Sequence, residues 1–152
     1  MDKLNIIAIS IIVILLGVLS LGLLTLNVPV NGFVVNPSKY LGNTWMIYKR
    51  YTTTPSIPGA KIEYYVRYMD PQQDSLIVIK IVFSNPTYAT QYMAKLESVP
   101  PSSVSSMYLY QEGFVQEVAL LNGNAVAEVI YVGTSTQVPT GALIGLAYHV
   151  VS

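Results

Sequence analysis

Residues 117–132 read "EVALLNGNAVAEVIYV", and this stretch decides the fold of the chain. Two runs of apolar and β-branched residues flank Asn-Gly, the dipeptide that favours a two-residue type I′ hairpin turn. A turn at Asn122-Gly123 places Glu117 directly opposite Glu128. Like charges in that position repel each other, so the hairpin predicts either nearby cations or an unusual environment for the two carboxylates.

The two faces of this hairpin differ in polarity. The face without the glutamates carries Phe114, Val118, Leu120, Val129 and Tyr131, and only Gln116 is polar. We expect that face to be the core and to carry the helices, which leaves the glutamates on an open face. Alternation along the preceding strand puts Lys80 on the open face as a counter-charge. The candidate interface on this face comprises Lys80, Glu117, Glu128, Val78, Val115 and Ile130.

Three interpretations of the glutamates remain open. A solvated ladder of charges would contribute little to stability. A catalytic carboxylate dyad would also need a cleft and positioning groups. A contact surface for a partner would explain why the expected open face is so apolar.

The rest of the chain alternates strand and helix patterns. Apolar alternation predicts five strands within the segments 43–54, 61–69, 75–84, 107–121 and 124–132, with Gly113 as a bulge. Helical spacing predicts helices within 84–98, where Asn85 can cap and Pro86 suits the first turn, and within 138–152. The order β-β-β-α-β-β-α predicts an α+β fold with two helices on one face of an antiparallel sheet, ferredoxin-like in outline. The expected core comprises Phe83, Ile79, Ile81, Tyr92, Leu96, Val118, Leu143 and Ala147.

The N-terminal segment has the composition of a membrane helix. Residues 4–26 contain no charged side chain, and a hydrocarbon core needs about 20 apolar residues of helix. A cleaved signal peptide is the alternative, but its apolar region is usually shorter, about 7–15 residues. We therefore predict an anchor at 1–26, a linker at 27–43 rich in Pro, Gly and Asn, and a domain at 44–152. Ser10, Gly17 and Ser20 are candidate helix-packing residues in the anchor.

Composition rather than charge indicates which side of the membrane the domain lies on. Asp2 and Lys3 cancel, so charge gives little orientation. The chain has no Cys and only 11% charged residues, and it carries 12 Tyr. This composition favours a single-pass protein with its domain outside the cytoplasm.

Composition also excludes several functions. One His and no Cys leave no basis for a multi-histidine or thiolate metal site. A formal net charge of zero gives no support for nucleic acid binding. No nucleotide-binding or nucleophile motif is present, and the sequence implies no cofactor and no enzymatic activity.

The leading functional interpretation is a non-catalytic accessory or structural subunit of a membrane or cell-surface complex. Its partners would be membrane lipid and other protein subunits, met through the anchor and the open face of the sheet. One alternative is an extracytoplasmic ligand-binding or sensory domain, with a pocket formed by loops 54–60 and 98–105. A second alternative is a fibre or pilus subunit that donates the segment "VPVNGFVV", residues 28–35, to a neighbour.

Overall fold

A computed structural model describes residues 35–152. They form a six-stranded antiparallel sheet and three α-helices, which confirms the predicted α+β class. The strands are β1 (Met46–Thr53), β2 (Ala60–Met69), β3 (Ser75–Phe83), β4 (Met107–Glu112), β5 (Val115–Asn122) and β6 (Ala125–Val132). The helices are α1 (Ser38–Leu41), α2 (Pro86–Glu97) and α3 (Thr140–Val151).

The sheet joins two three-stranded meanders. The strand order is β1-β2-β3-β6-β5-β4, so the meanders meet where β3 pairs with β6. The last strand of each meander is therefore central, and β1 and β4 are the two edges. Strands buried on both faces are apolar on both, which explains the composition of β3 and β6.

The prediction of five strands was wrong at Gly113. Residues 107–121 form two strands, since Glu112 pairs with Val115 across a tight turn at Gly113-Phe114. Gly113 has a φ of 57°, a conformation that glycine adopts without steric cost. Such a glycine suits a hairpin turn as well as a bulge, and the turn gives β4 a partner in β5. The element order after α1 is thus β-β-β-α-β-β-β-α.

The prediction that both helices lie on one face was also wrong. Helix α2 packs with Ile79, Ile81 and Phe83 of β3. Helix α3 packs with Leu76 and Val78 of the same strand. Alternate residues of a strand point to opposite faces, so the helices cover opposite sides of the sheet. The physical reason is that both faces of the central strands are apolar, and one helix layer would leave the other face in water.

The predicted core residues are buried or, at Tyr92 and Leu96, half-buried, and they lie in two layers rather than one. The layer under α2 contains Phe83, Ile79 and Ile81, with Tyr92 and Leu96 packed against it. The layer under α3 contains Val118, Leu143 and Ala147.

The final hairpin turns one residue later than predicted. Asn122 pairs with Ala125, so the turn residues are Gly123 and Asn124. Positive φ occurs at Gly123 and not at Asn124, as in a type II′ turn. Asn124 also binds the end of β3: its Nδ2 donates to the carbonyl oxygen of Phe83 at 3.0 Å, and its own carbonyl accepts from the Phe83 amide at 2.7 Å. These bonds to β3 favour Gly-Asn over Asn-Gly.

Part of the predicted linker belongs to the folded domain. Val35 lies in the α3 layer, and its carbonyl oxygen accepts a hydrogen bond from the Tyr68 hydroxyl at 3.2 Å. Helix α1 contacts α3, and the ring of Tyr40 lies 6.4 Å from that of His149. The predicted anchor with Ser10, Gly17 and Ser20, and linker residues 27–34, lie outside the described residues. Within residues 35–152, none of the helices is long and apolar enough to span a membrane.

Candidate functional site

The α2 face of the sheet holds a buried cluster of carboxylates and tyrosines. Glu117 and Glu128 both point to this face. The prediction that they share a face is correct, but the prediction that this face carries no helix is wrong. The observed register pairs Glu117 with Ile130 and Ala119 with Glu128. The two glutamates are therefore diagonal neighbours, because a register shift of two residues preserves the face of every side chain.

Glu128 lies at the centre of the cluster. Its side chain is only 1% exposed, between Ile79 of β3 and Ala119 of β5. From α2, the hydroxyl of Tyr92 donates a hydrogen bond of 2.5 Å to Glu128 Oε1. The Tyr92 ring also packs against Phe83 at 5.6 Å. The solvated-ladder interpretation is therefore wrong for Glu128, whose carboxyl group is enclosed by the sheet and by α2.

A second carboxylate-tyrosine contact lies towards the β1 edge of the same face. The Tyr51 hydroxyl donates to Glu63 Oε1 at 3.2 Å. The Tyr51 ring stacks on that of Tyr65, with centroids 4.6 Å apart and planes 10° apart. Such stacking of cross-strand neighbours stabilises a sheet and fixes the phenol over the carboxylate.

Burial raises the pKa of the carboxyl groups in this cluster. For Glu128, desolvation is the main cause, the Glu117 charge adds to it, and the Tyr92 hydrogen bond partly offsets it. Desolvation raises the pKa of Glu117. For Glu63, desolvation outweighs the opposing effect of the Tyr51 hydrogen bond. Two carboxylates in a dry site disfavour simultaneous ionisation, so the pair favours holding a proton.

The Tyr92 side chain supplies the hydrogen-bond donor at the centre of the cluster. Tyr92 lies over Glu128, and desolvation followed by the Glu128 charge raises the pKa of Tyr92 well above its ordinary value. The phenol therefore stays protonated and acts as a hydrogen-bond donor. Within residues 35–152, no group of three acidic or histidine side chains has the geometry to hold a metal ion.

The six candidate interface residues do not share one face. Glu117, Glu128, Val115 and Ile130 point to the α2 face, whereas Lys80 and Val78 point to the α3 face. Lys80 pairs with Ala127 and with Tyr64, and Ala127 belongs to the α3 layer. The expected counter-charge thus lies on the opposite side of the sheet from the glutamates, where burial raises the pKa of both carboxyl groups.

Sequence reasoning missed a polar junction at the other end of the sheet. Asp74 Oδ1 accepts hydrogen bonds from the Thr134 amide at 2.7 Å and the Thr134 hydroxyl at 2.8 Å. Its Oδ2 accepts one from the Tyr131 hydroxyl at 2.9 Å. Burial alone would raise the pKa of Asp74, but these hydrogen bonds lower it overall. The only sequence signal was the turn composition of "DPQQD", which gives no hint of Thr134.

A small groove lies at the end of α3. It has a volume of about 270 Å³ and is lined by Ser106, Leu120, Leu121, Asn122, Tyr148, Val151 and Ser152. Pockets for small molecules are usually about 300–1,000 Å³, and this groove has no charged side chain in its lining. It therefore gives little support to the ligand-binding alternative.

Comparison of the chain with protein-family models, curated proteins and solved structures finds no match. Functional inference therefore depends on the residues themselves.

Proposed function

We propose that the protein is a non-catalytic accessory subunit, tethered to a membrane by its N-terminal segment, whose domain binds a partner chain of a membrane complex. The observation that carries the proposal is an uncovered part of the sheet on the α3 face. Helix α3 packs mainly on β5 and β6, and it contacts β3 less extensively. Among residues 35–152, the helices lie mainly against β3, β4, β5 and β6, so β1 and β2 have fewer helix contacts.

This uncovered part forms a surface that we call the open patch. Its centre is a cross-strand row in which Thr52 of β1 pairs with Tyr64 of β2, and Tyr64 pairs with Lys80 of β3. Ile62 and Val82, which also pair with each other, extend it. All five side chains are half-buried rather than enclosed. Aromatic side chains such as Tyr64 are enriched at surfaces that bind proteins.

The charge of the open patch indicates the chemistry of its partner. Lys80 lies within the open patch. Arg50 is exposed, and because it precedes Thr52 by two residues in β1, it lies beside the patch on the same face. The acidic residue of β2, Glu63, points to the other face, where it contacts Tyr51. A surface with two cations and no carboxylate among its strand positions fits a partner that supplies carboxylates.

The buried cluster supports a non-catalytic role. A catalytic carboxylate pair must meet its substrate, whereas Glu128 is enclosed between the sheet and Tyr92. Its position indicates a part in stability, and we assign the partner contact to the open patch instead.

Site-specific photocrosslinking tests the proposal in the full chain, in its native membrane. A benzophenone amino acid at Tyr64 should give one discrete adduct with another membrane-complex chain. The matched control is the same group at Leu109, which is 51% exposed on the opposite edge strand β4. Adducts that are equally abundant from both positions, or none from Tyr64, would contradict docking at the open patch.

A charge reversal gives an independent test. Lys80→Glu should reduce recovery of the crosslinked partner several-fold without changing the melting temperature of the domain. Lys95→Glu makes the same change on α2, on the opposite face of the sheet, where Lys95 is exposed, and should leave recovery unchanged. Adducts that resist Lys80→Glu would contradict the role of charge.

A further inference from the structure

The start of β1 exposes three large apolar side chains in succession. Met46 is 66% exposed, Ile47 is 54% exposed and Tyr48 is 67% exposed. Together they form a surface that we call the β1 corner. Isolated exposed apolar residues are ordinary, but a contiguous group at one corner of a domain indicates a contact.

The β1 corner lies close to the point where the N-terminal segment meets the domain. Ile47 pairs directly with Tyr68, and the Tyr68 hydroxyl donates a hydrogen bond to the Val35 carbonyl oxygen at 3.2 Å. Eight residues, 27–34, separate Val35 from the apolar segment 4–26. Fully extended, they span at most about 29 Å, at roughly 3.6 Å per residue. A membrane that holds residues 4–26 therefore keeps the β1 corner within reach of its surface.

The shape of the β1 corner argues against a protein strand as its occupant. The pairing of β1 with β2 is irregular between Ile47 and Lys49, and a bulge in an edge strand hinders the addition of another strand. Met46 pairs with Met69, and Ile47 pairs with Tyr68, so these two side chains point to opposite faces of the sheet. A flat protein surface would meet only one face, whereas a corner inserted into headgroups engages both.

The chemistry around the β1 corner matches a membrane interface. Aromatic residues with one apolar and one polar end are enriched there; Tyr48 belongs to the corner, and Trp45 directly precedes it. Arg67 lies over the Tyr48 ring, with Cζ 5.2 Å from the centroid, and Arg50 is exposed two residues further on. The nearby carboxylates, Asp70 and Asp74, are buried. Cations beside an apolar corner favour anionic lipid headgroups.

We infer that the β1 corner docks on the lipid headgroup region of the membrane that holds the tether, and so fixes the orientation of the domain. This inference rests on the proposed tether. It assigns one edge of the sheet to lipid and leaves the open patch for the partner chain.

The single Trp of the chain provides the test. Trp45 precedes the corner, and its indole Nε1 donates to the Gly42 carbonyl at 3.0 Å, which fixes its position. The full-length protein would be placed in nanodiscs that contain phosphatidylcholine, with or without phosphatidylserine and with a nitroxide quencher on the headgroup. Trp45 fluorescence should be quenched at least two-fold, and more strongly with phosphatidylserine.

The triple substitution Met46→Ser, Ile47→Ser and Tyr48→Ser should remove most of this quenching without altering the melting temperature. The control Leu109→Ser changes a comparably exposed residue on the other edge strand and should leave quenching unchanged. Equal quenching in the triple variant, or an unquenched Trp45 in protein that has incorporated into nanodiscs, would overturn lipid docking. Failure of the wild-type protein to incorporate at all would instead refute the tether and the proposed function.

Discussion

The phenol of Tyr92 in α2 donates a 2.5 Å hydrogen bond to Oε1 of Glu128 in β6, joining a helix to a central strand through a buried polar contact. Buried polar groups are costly unless they are paired. The contact therefore satisfies the glutamate and also fixes the position of α2 over the sheet.

Tyr92→Phe should destabilise the domain by about 1–3 kcal/mol, because the change leaves a buried carboxyl group without its donor. Urea unfolding measures the loss. Tyr148→Phe removes a hydroxyl from a side chain that is 56% exposed on α3 and should stay within about 0.5 kcal/mol of wild type. Equal effects of the two changes would mean that the Tyr92 contact contributes nothing specific.

The stability of the domain should fall as pH rises above the ordinary range of carboxyl pKa values. Burial raises the pKa of Glu128 in the folded state, so the folded protein binds more protons than the unfolded chain in this range. Stability then decreases by about 1.4 kcal/mol per pH unit for one group. The decrease ends once the pH passes the pKa of Glu128 in the folded state. Glu128→Gln should flatten this dependence and stabilise the domain at alkaline pH. Glu112→Gln, on the exposed end of β4, is the control, and an unchanged pH profile for Glu128→Gln would contradict the assignment.

Asp74 should have the opposite pH dependence. Hydrogen bonds from Thr134 and Tyr131 lower its pKa despite burial, so its contribution is present above the ordinary pKa of Asp and is lost as pH falls through the folded pKa. Asp74→Asn should cost about 1.5–3 kcal/mol at neutral pH, as expected for hydrogen bonds to a charged group. Thr134→Ala should cost less, because the backbone donor remains. Thermal unfolding at several pH values distinguishes the two, and a larger loss for Thr134→Ala would contradict this account.

Local features of the fold were predictable because they depend on neighbouring residues. Asn85 caps α2 by accepting a hydrogen bond from the Tyr88 amide at 3.2 Å, and Pro86 occupies the first helical position, both as the sequence indicated. The shared face of Glu117 and Glu128 was also correct, since strand alternation survives a register shift of two.

Face assignment between distant strands was not predictable from the same patterns. The sequence shows that Lys80 and Ile79 point to opposite faces, but not which of them accompanies Glu128. That relationship depends on the β3–β6 register, in which Ile79 lies opposite Glu128. Because β3 is apolar on both faces, polarity alone cannot choose. The sequence therefore could not show that Glu128 lies beside Ile79, on the face that α2 buries.

Two independent core layers should give additive effects on stability. Met93 of α2 and Leu143 of α3 are both fully buried, on opposite sides of the sheet. Met93→Ala and Leu143→Ala should each cost about 2–5 kcal/mol. The double variant should lose the sum within about 0.5 kcal/mol, as for distant sites. Chemical denaturation of all three variants is the measurement, and strong coupling would instead indicate that the helices share one layer.

The observed turn makes a distinct prediction for Asn122. In this structure Asn122 ends β5 and pairs with Ala125, so Asn122→Thr should be neutral or slightly stabilising, because threonine favours strands. A turn at Asn122-Gly123 would require positive φ at residue 122, where a β-branched residue is strained by about 1–2 kcal/mol. Gly123→Ala is the matched control: Gly123 has a φ of 58° and its Cβ would meet no atom within 4 Å, so the loss of stability should reflect backbone strain alone. Thermal unfolding of the two variants therefore decides the register. A destabilised Asn122→Thr variant would contradict the observed register and support direct pairing of Glu117 with Glu128.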